Sequence, residues 1–357
     1  IALCGLPRAG KTTLWSILTG QEPPVGGKLE SRRGMAQVPD PRLERLTSLY
    51  QPKRHVPATV SYVDVAPMER GAGRRADNPA LVALRDADAL LLVVRAFDDE
   101  ADPHPEGSID VARDVELVET EFLLADLEVA QRRIEKLEAL VGKANRDEDK
   151  KELALLRRVA AGLESEIPVR AQGLATEEDK QLRGYALLTA KPLLVAANLP
   201  EDRTGEIGAD PAALGLPDLS GRPGCEFVAL SAKIEQEIAA LSSDEAQVFR
   251  EELAIAEPAL DRLIQASYRL LGLVSFFTVG DDECRAWTIR RDTPAQLAAG
   301  AIHTDLARRF IRAETVRWDQ LVQAGSMAAA KEEGWLRLEG KSYVVQDGDV
   351  LHVRHSA

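Results

Sequence analysis

Apolar and polar positions along the chain follow two periods, which predict short strands separated by helices. Continuous apolar runs indicate parallel strands that are covered on both faces, whereas alternation indicates a half-covered strand. The predicted strands are 1–4, 58–64, 88–95, 192–198 and 226–231. Strands that alternate with helices predict a doubly wound α/β sheet, in which ligands bind beyond the carboxyl ends of the strands.

A long helical pattern lies between the third and fourth of these strands. From Asp110 to about Ala144, apolar residues recur at steps of three and four, and the same period returns from Leu153 to Leu163 after a break at 142–145. The length of the first helix favours an antiparallel coiled hairpin that projects from the sheet. The alternative is two ordinary helices that lie flat on the sheet.

The remaining chain predicts a change of architecture after about residue 272. Thr176–Asp179 is typical of a capping box, and helical segments fill 241–271 with an interruption at Pro258. Beyond them, a hairpin, helices and further strands alternate through 275–353. This pattern predicts a small mixed domain, in which we find no catalytic constellation.

The segment GLPRAGKT, residues 5–12, stands where the first strand would turn into a helix. It meets the phosphate-binding pattern Gly-x-x-x-x-Gly-Lys-Thr with Gly5, Gly10, Lys11 and Thr12. Glycines let successive N–H groups point at phosphate oxygens, and the following helix adds its positive dipole end. We expect Lys11 to reach the β- and γ-phosphates and the Thr12 hydroxyl to hold Mg²⁺. A Gly-rich turn is the alternative, which the strand-to-helix context disfavours.

Polar residues also follow three of the other predicted strands. Asp64 ends the strand 58–64 and is our candidate for the second Mg²⁺-associated carboxylate, with a turn or cap residue as the alternative. Asn198 and Ser231 end two further strands. Because these ends share one sheet edge, we expect the residues after Asn198 and Ser231 to lie beside the nucleotide base.

Composition is that of an ordinary soluble globular protein, with 45% hydrophobic and 29% charged residues among 357. This length favours two or three domains. No apolar run approaches the ~20 residues that cross a bilayer, and the chain starts in a predicted core strand, so we expect a cytoplasmic protein without a membrane partner. Cys4, Cys225 and Cys284 lie far apart and show no metal-binding spacing, which favours buried thiols.

The net charge of −13 argues against nucleic-acid binding until its distribution is considered. Residues 162–262 hold 19 acidic and 9 basic residues, and so carry most of the excess. In contrast, residues 130–160 hold 9 basic and 6 acidic residues, and 285–317 hold seven arginines against three acids. Locally basic surfaces of this kind can meet a phosphate backbone on an acidic protein.

Several segments together resemble one family. These segments are GLPRAGKT, VPDPRLERL, LLTAKPLLVAANLPED, VALSAKIE, FFTVGDDECRAWTIRRDTPAQLAAGAIHTDLARRFIRAE and YVVQDGDVLHVR. They resemble the YchF family, also called Obg-like ATPases, and the likeness runs through nearly the whole chain. The resemblance implies a P-loop NTPase G-domain in two segments, 1–109 and 173–272, an inserted helical coiled-coil domain, 110–172, and a ubiquitin-like β-grasp TGS domain, 273–357.

The resemblance also implies which residues bind the nucleotide. The usual guanine-reading motif has a lysine and an aspartate, whereas Asn198–Glu201 lacks that lysine. Family members accordingly bind ATP at least as well as GTP, and the Asn198 amide is expected to pair with adenine. The implied nucleotide-binding residues are Arg8, Ala9, Gly10, Lys11, Thr12, Thr13, Asn198, Leu199, Glu201, Ser231, Ala232 and Lys233, with Thr12 and Asp64 as Mg²⁺ ligands.

Departures from the family pattern concern the switch segments and hydrolysis. The glycine whose N–H contacts the γ-phosphate is replaced by Pro67, which has no N–H, and the threonine expected in the first switch falls at Lys28 when Gly34 is aligned. The Gly-rich segment 71–75 is altered as well. Met68 stands where many GTPases use a water-positioning glutamine, and a hydrophobic residue at this place is itself a mark of the family. His104 matches a loop histidine proposed to assist hydrolysis, with a merely solvated histidine as the alternative.

These observations lead to two hypotheses from different classes. The first is a Mg²⁺-dependent nucleoside triphosphatase that prefers ATP, hydrolyses it slowly and is accelerated by a partner. The family resemblance implies the ribosome, through its RNA or its proteins, as that partner, and no DNA partner is expected. The second hypothesis, motivated by Pro67 and Lys28, is a nucleotide-binding ribosome or RNA adaptor that has lost efficient hydrolysis.

Overall fold

A computed structural model shows an α/β protein with two six-stranded sheets. It describes residues 1–22, 31–68, 71, 78–144, 146–255 and 257–356. The strands are β1 (Ala2–Cys4), β2 (Arg32–Gln37), β3 (Arg54–Val56), β4 (Thr59–Asp64), β5 (Leu90–Arg95), β6 (Leu193–Asn198), β7 (Cys225–Leu230), β8 (Leu273–Thr278), β9 (Glu283–Arg290), β10 (Phe310–Arg317), β11 (Arg337–Glu339) and β12 (Asp349–His355). The α-helices are α1 (Lys11–Thr19), α2 (Pro41–Tyr50), α3 (Pro79–Arg85), α4 (Val111–Ala144), α5 (Asp147–Glu164), α6 (Thr176–Leu182), α7 (Ala232–Ala240), α8 (Ser243–Glu252), α9 (Ala259–Leu270), α10 (Ala295–Ile302), α11 (Thr304–Arg308), α12 (Trp318–Ala324) and α13 (Met327–Glu332).

The chain divides into two compact units. Unit 1 comprises Ile1–Met35 and Ser61–Ala266, and unit 2 comprises Ala36–Val60 and Ser267–Ala357. None of the helices in the described part of the chain combines the length and the apolarity that spanning a membrane requires. Cys4 and Cys284 are buried, Cys225 is half-buried, and all three thiols are free.

The first sheet has the strand order β2-β4-β1-β5-β6-β7. The pairs β1–β4, β1–β5, β5–β6 and β6–β7 are parallel, and every residue of β5 and β6 is buried. The apolar runs at 88–95 and 192–198 therefore form central strands, as the sequence predicts. Parallel pairing brings the carboxyl ends of β1, β4, β5, β6 and β7 to one edge of the sheet.

Helix α4 has two different surroundings along its 34 residues. Its first half packs into the core of the sheet, through Val111, Val115, Val118, Phe122 and Ala125. Its second half contributes Leu137 to a separate apolar cluster with Leu153 and Leu156 of α5. Helix α4 thus contributes to two apolar clusters, because its apolar stripe continues beyond the part of the helix that covers the sheet.

Ion pairs link α4 to α5 outside that apolar cluster. Arg133 Nε lies 2.8 Å from Glu152 Oε1, and Arg157 Nη2 lies 2.6 Å from Glu138 Oε1. In both contacts the two residues are 19 apart along the chain. Glu138, the later of the two residues in α4, therefore pairs with Arg157, the later of the two residues in α5. All four side chains are partly exposed, so these pairs contribute little stability and the apolar cluster holds the helices together.

The second sheet, in unit 2, has the order β11-β10-β12-β8-β9-β3. The strand β3 pairs in parallel with β9, and Arg42 forms an ion pair with Asp347 at 2.9 Å. These contacts explain why residues 36–60 group with unit 2, whereas the predicted domains assign them to the nucleotide-binding segment 1–109. Likewise, the predicted insertion 110–172 lies within unit 1, because the first half of α4 shares the core of the sheet.

Candidate nucleotide-binding site

The loop of residues 5–10 connects β1 to α1 as the sequence predicts. Gly5 has a φ of 138°, and a Cβ there would lie 2.3 Å from Val93 O of the neighbouring strand, so only glycine fits. Gly10 precedes α1 with a φ of 90°, and no side chain caps this helix. The first-turn N–H groups of α1 are therefore directed at the mouth of the loop, where an anion would bind.

Lys11 is buried beneath the loop, with 5% of its surface exposed. Its Nζ donates to Leu6 O at 2.8 Å and to Gly5 O at 3.2 Å. Burial lowers the pKa of Lys11 to about 8, although the nearby Asp64 carboxylate opposes this shift. The loop thus holds the ammonium group of Lys11 on its own carbonyl oxygens, and a contact of that group with phosphates stays a prediction.

Thr12, in the first turn of α1, contacts Asp64 at the end of β4. Thr12 Oγ1 donates to Asp64 Oδ2 at 2.8 Å, and the register pairs Leu3 with Asp64. Asp64 Oδ1 is buried and has no hydrogen-bond partner among the described residues. Burial raises the pKa of Asp64, while the Thr12 hydrogen bond and the Lys11 charge oppose that rise. A buried carboxylate oxygen without a partner is where a cation would be stabilising.

The residues at this edge fit Mg²⁺. A hydroxyl and a carboxylate are hard oxygen ligands, and Mg²⁺ is usually held by one or two such groups together with phosphates and water. No group of three or more His, Cys, Asp or Glu side chains in the described ranges could hold a metal by itself. A magnesium ion here would thus depend on Thr12, Asp64 and the phosphate oxygens of a bound nucleotide.

Asn198 lies at the end of β6 and connects two loops. Its Nδ2 donates to Ala9 O at 3.1 Å, and its Oδ1 accepts from Ala232 N at 2.9 Å. A Cβ on Gly10 would lie 2.4 Å from Asn198 Nδ2, so the second glycine of the motif also makes room for this contact. The side chain is 5% exposed. The amide thus braces the phosphate loop against residues 231–233 through its oxygen and one N–H, and its pairing with adenine stays a prediction.

The other residues predicted beside the base divide into buried and exposed groups. Leu199 packs in the apolar core and is 2% exposed, so its predicted contact with a nucleotide would have to come from its backbone. Ser231 and Ala232 are buried at the start of α7. Glu201 and Lys233 form an exposed ion pair, with Oε2 and Nζ 2.5 Å apart. A contact of these two exposed side chains with a base stays a prediction.

Comparison with known proteins decides the family. The Ribosome-binding ATPase YchF of Bacillus subtilis (strain 168) is 40% identical, over 99% of this chain and 98% of that protein. The chain belongs to the YchF family. The Ribosome-binding ATPase YchF of Escherichia coli O157:H7 is 36% identical, over 98% of this chain and 97% of that protein.

Two further comparisons agree with the YchF assignment. The family model YchF-GTPase_C, described as "Protein of unknown function (DUF933)", matches residues 273–356. Among solved structures, that of the Schizosaccharomyces pombe YchF GTPase has a TM-score of 0.86 and 28% identity, over 99% of this chain and 97% of that one. The α/β fold with its mixed sheets is therefore the fold of a YchF protein.

The segment after Asp64 departs from the pattern expected of a YchF protein. Pro67 has no N–H to donate, and the N–H of Met68 donates to Gly5 O at 3.1 Å. The Met68 side chain is 1% exposed and packs in the core of the sheet. Lys28 and residues 72–75 of the altered Gly-rich segment lie outside the described residues.

His104, which the YchF resemblance associates with hydrolysis, is buried rather than solvated. Its Nδ1 accepts from Glu106 N at 3.1 Å, which leaves the proton of the neutral ring on Nε2. Nε2 lies 2.8 Å from Asp114 Oδ2, and both side chains are 3% exposed. Asp114 Oδ2 nevertheless has no hydrogen-bond partner among the described residues, so this contact is close without hydrogen-bond geometry, and a role of His104 in hydrolysis stays a prediction.

Sequence reasoning missed two residues at this edge of the sheet, Arg95 and Asp102. Arg95 ends β5 and is 2% exposed. Its Nε donates to Phe97 O at 3.0 Å and its Nη2 to Asp102 O at 2.9 Å. The Asp102 carboxylate forms an ion pair with Arg8 of the phosphate loop. The signal in the sequence was an arginine directly after the six apolar residues 89–94, because a charge at a buried strand end needs hydrogen-bond partners.

Proposed function

We propose that this chain is a Mg²⁺-dependent nucleoside triphosphatase that binds ATP, and also GTP, and hydrolyses it slowly. The observation that carries the proposal is the hydrogen bond from Thr12 to Asp64, beside a buried carboxylate oxygen that has no partner among the described residues. The printed names of the relatives, an ATPase in Bacillus subtilis and a GTPase in Schizosaccharomyces pombe, support the same class of reaction.

In this mechanism the protein positions the phosphates and stabilises charge. Thr12 and Asp64 would hold Mg²⁺, which neutralises charge on the β- and γ-phosphates when it is bound. The backbone N–H groups of residues 8–13 surround the phosphates, and Lys11 adds one positive charge. Catalysis therefore comes from the pre-arranged loop and not from a covalent intermediate, so a slow intrinsic rate is expected.

Relaxed purine selection follows from the residues near the base. The Asn198 amide, which braces the loop, has its oxygen and one N–H engaged by the protein. Glu201 takes the place of the usual aspartate and pairs with Lys233, so its carboxylate is partly neutralised before any guanine binds. A weakened acceptor gives guanine little advantage, and ATP is bound at least as well as GTP.

A ribosome is the partner we propose for this NTPase, which would place the chain in the cytoplasm. The printed name of the Bacillus subtilis relative, Ribosome-binding ATPase, supports this partner. We further propose that α4 and α5 form an inserted coiled hairpin in 110–172, and that 273–357 is a β-grasp TGS domain. The matched family model at 273–356 and the parallel β8–β12 pair inside a mixed sheet support the second assignment.

Calorimetry and single-turnover hydrolysis test the NTPase together. Lys11→Ala is expected to abolish binding of Mg²⁺ATP and Mg²⁺GTP, because the buried ammonium group is lost from the loop. Lys180→Ala is the matched control, since this lysine is 54% exposed and pairs only with a surface glutamate among the described residues. Unchanged ATP affinity in Lys11→Ala would contradict the assignment of the phosphate loop.

A second candidate function is favoured by Pro67 and by the engaged N–H of Met68. Pro67 has no N–H, and the N–H of Met68 already donates to Gly5 O, so neither residue offers an N–H to a γ-phosphate. The chain would then be a nucleotide-binding ribosome or RNA adaptor without efficient hydrolysis. Single-turnover assays with and without ribosomes separate the two functions. Turnover that Lys11→Ala abolishes supports the enzyme, whereas tight binding without turnover in either condition supports the adaptor.

A further inference from the structure

Arg8 is the exposed cation of the phosphate loop. Lys11 is buried beneath the loop, whereas the Arg8 side chain is 54% exposed. Arg8 has a φ of 65°, a left-handed conformation that is uncommon and strained for a residue other than glycine. A strained, charged residue inside a loop built to surround phosphates indicates that its side chain has a role there.

The guanidinium of Arg8 pairs with the carboxylate of Asp102 in the loop that follows β5. The Asp102 side chain is 38% exposed, so the pair is partly solvated and weak. The backbone around Asp102 is held more firmly, because its carbonyl accepts from the buried Arg95 and its N–H donates to Asp99 O at 3.1 Å. Asp102 thus offers Arg8 a fixed but weak partner.

We propose that Arg8 is a further catalytic residue, whose guanidinium contacts the β- and γ-phosphates, and that Asp102 competes with the triphosphate for it. This inference rests on the proposed NTPase function. A guanidinium presents a planar fork of N–H donors that matches two phosphate oxygens at once. A triphosphate carries more negative charge than one carboxylate, so it outcompetes Asp102 when it binds.

The reaction step itself needs no atom from Arg8. Water attacks the γ-phosphorus and forms a new P–O bond, while the bond from that phosphorus to the β–γ bridging oxygen breaks. The electron pair stays on that oxygen, which leaves with the nucleoside diphosphate, and the proton from water is released with inorganic phosphate. Arg8 stabilises the charge that gathers on the γ-oxygens and the bridging oxygen, as arginines do in other phosphoryl-transfer sites.

A double-mutant cycle of Arg8→Gln and Asp102→Asn tests the competition. The readouts are the Kd for Mg²⁺ATP and the single-turnover rate. We expect Arg8→Gln to lower the rate at least about tenfold, a modest share of what an arginine at the phosphates can supply. We expect Asp102→Asn to raise ATP affinity about threefold or more, because the competing carboxylate is removed. In the double variant this gain should vanish.

The double variant also separates competition from simple repulsion. If Asp102→Asn raises ATP affinity as much in the Arg8→Gln background as in the unsubstituted protein, the carboxylate acts on the phosphates directly and the proposal is overturned. An Arg8→Gln rate equal to that of the unsubstituted protein overturns it as well. Arg8→Gly removes the guanidinium while relieving the left-handed backbone, and its rate loss should match that of Arg8→Gln, which rules out misfolding as the cause.

Controls in the same unit keep the result distinct from failure of the proposed function. Arg132→Gln and Asp147→Asn remove the same charges from side chains on α4 and α5 that are 61% and 89% exposed, and neither should change ATP affinity. If the unsubstituted protein neither binds nor hydrolyses ATP, the NTPase function itself fails. If it binds and hydrolyses ATP while the cycle shows no coupling, only the role of Arg8 fails.

Discussion

Lys11 is the residue with the most consequences for nucleotide binding, because its charge depends on the pH. Burial lowers the pKa of Lys11 to about 8, so the side chain is a cation below that pH and increasingly neutral above it. Only the charged form attracts a triphosphate. Binding above pH 8 therefore requires the uptake of a proton, and the affinity of the protein for ATP must fall as the pH rises.

We predict that the affinity for Mg²⁺ATP is nearly constant from about pH 7 to 7.5 and then declines by up to about tenfold per pH unit above about pH 8. Calorimetry at about pH 9 in buffers of different ionisation enthalpy should show uptake of about one proton per ATP bound, since the phosphates raise the pKa of the bound lysine. A flat affinity up to about pH 9.5 without proton uptake would contradict the buried, partly neutral lysine.

Asn198 gives a second test at the residue scale. Asn198→Ala leaves Ala9 O and Ala232 N without their partner, which should lower the free energy of unfolding by about 2 kcal/mol. If the amide acts only as a brace, ATP and GTP should lose affinity by the same factor. Thermal unfolding and paired Kd measurements check this, and a changed ATP-to-GTP ratio would support the predicted contact with the base.

At the scale of elements, α4 joins two cores that should respond separately. Leu137→Ala opens a cavity where α4 meets α5, at an expected cost of about 3 kcal/mol. Hydrogen exchange should quicken in the second half of α4 and in α5, while the Kd for ATP stays within about twofold. Phe122→Ala is the matched comparison in the core of the sheet, where the loss should extend to β5 and β6. Equal exchange patterns for both variants would contradict two separate cores.

Elements also show how far the sequence could predict this molecule. The turn from β1 into α1, the position of Asp64 at the end of β4 and the central strands follow from local patterns of residues. The strand β3 escapes prediction, since three residues carry no period and its partner β9 lies far along the chain. The bracing role of Asn198 escapes for the same reason: its contact with Ala9 joins residues 189 apart, and spacing cannot reveal what a side chain touches.

At the scale of the whole molecule, a net charge of −13 opposes the proposed ribosome partner unless contact is local. The seven arginines within 285–317 supply such a region in unit 2, against three acids. Arg309 and Arg312 are exposed there. A complex between this region and ribosomal RNA must depend strongly on salt, because each phosphate contact releases counterions.

We predict that the double substitution Arg309→Gln with Arg312→Gln weakens ribosome binding about tenfold at moderate salt. It should also reduce the slope of log affinity against log salt by about 1.5, as expected for two lost phosphate contacts. The matched control is Lys180→Gln with Arg183→Gln, which removes two exposed charges from the acidic segment 162–262. Co-sedimentation over a salt series measures both pairs. Both double substitutions remove two positive charges, so only a local contact can make their effects on ribosome affinity differ. Equal losses of affinity would therefore show that total charge, and not a local basic surface, governs ribosome binding.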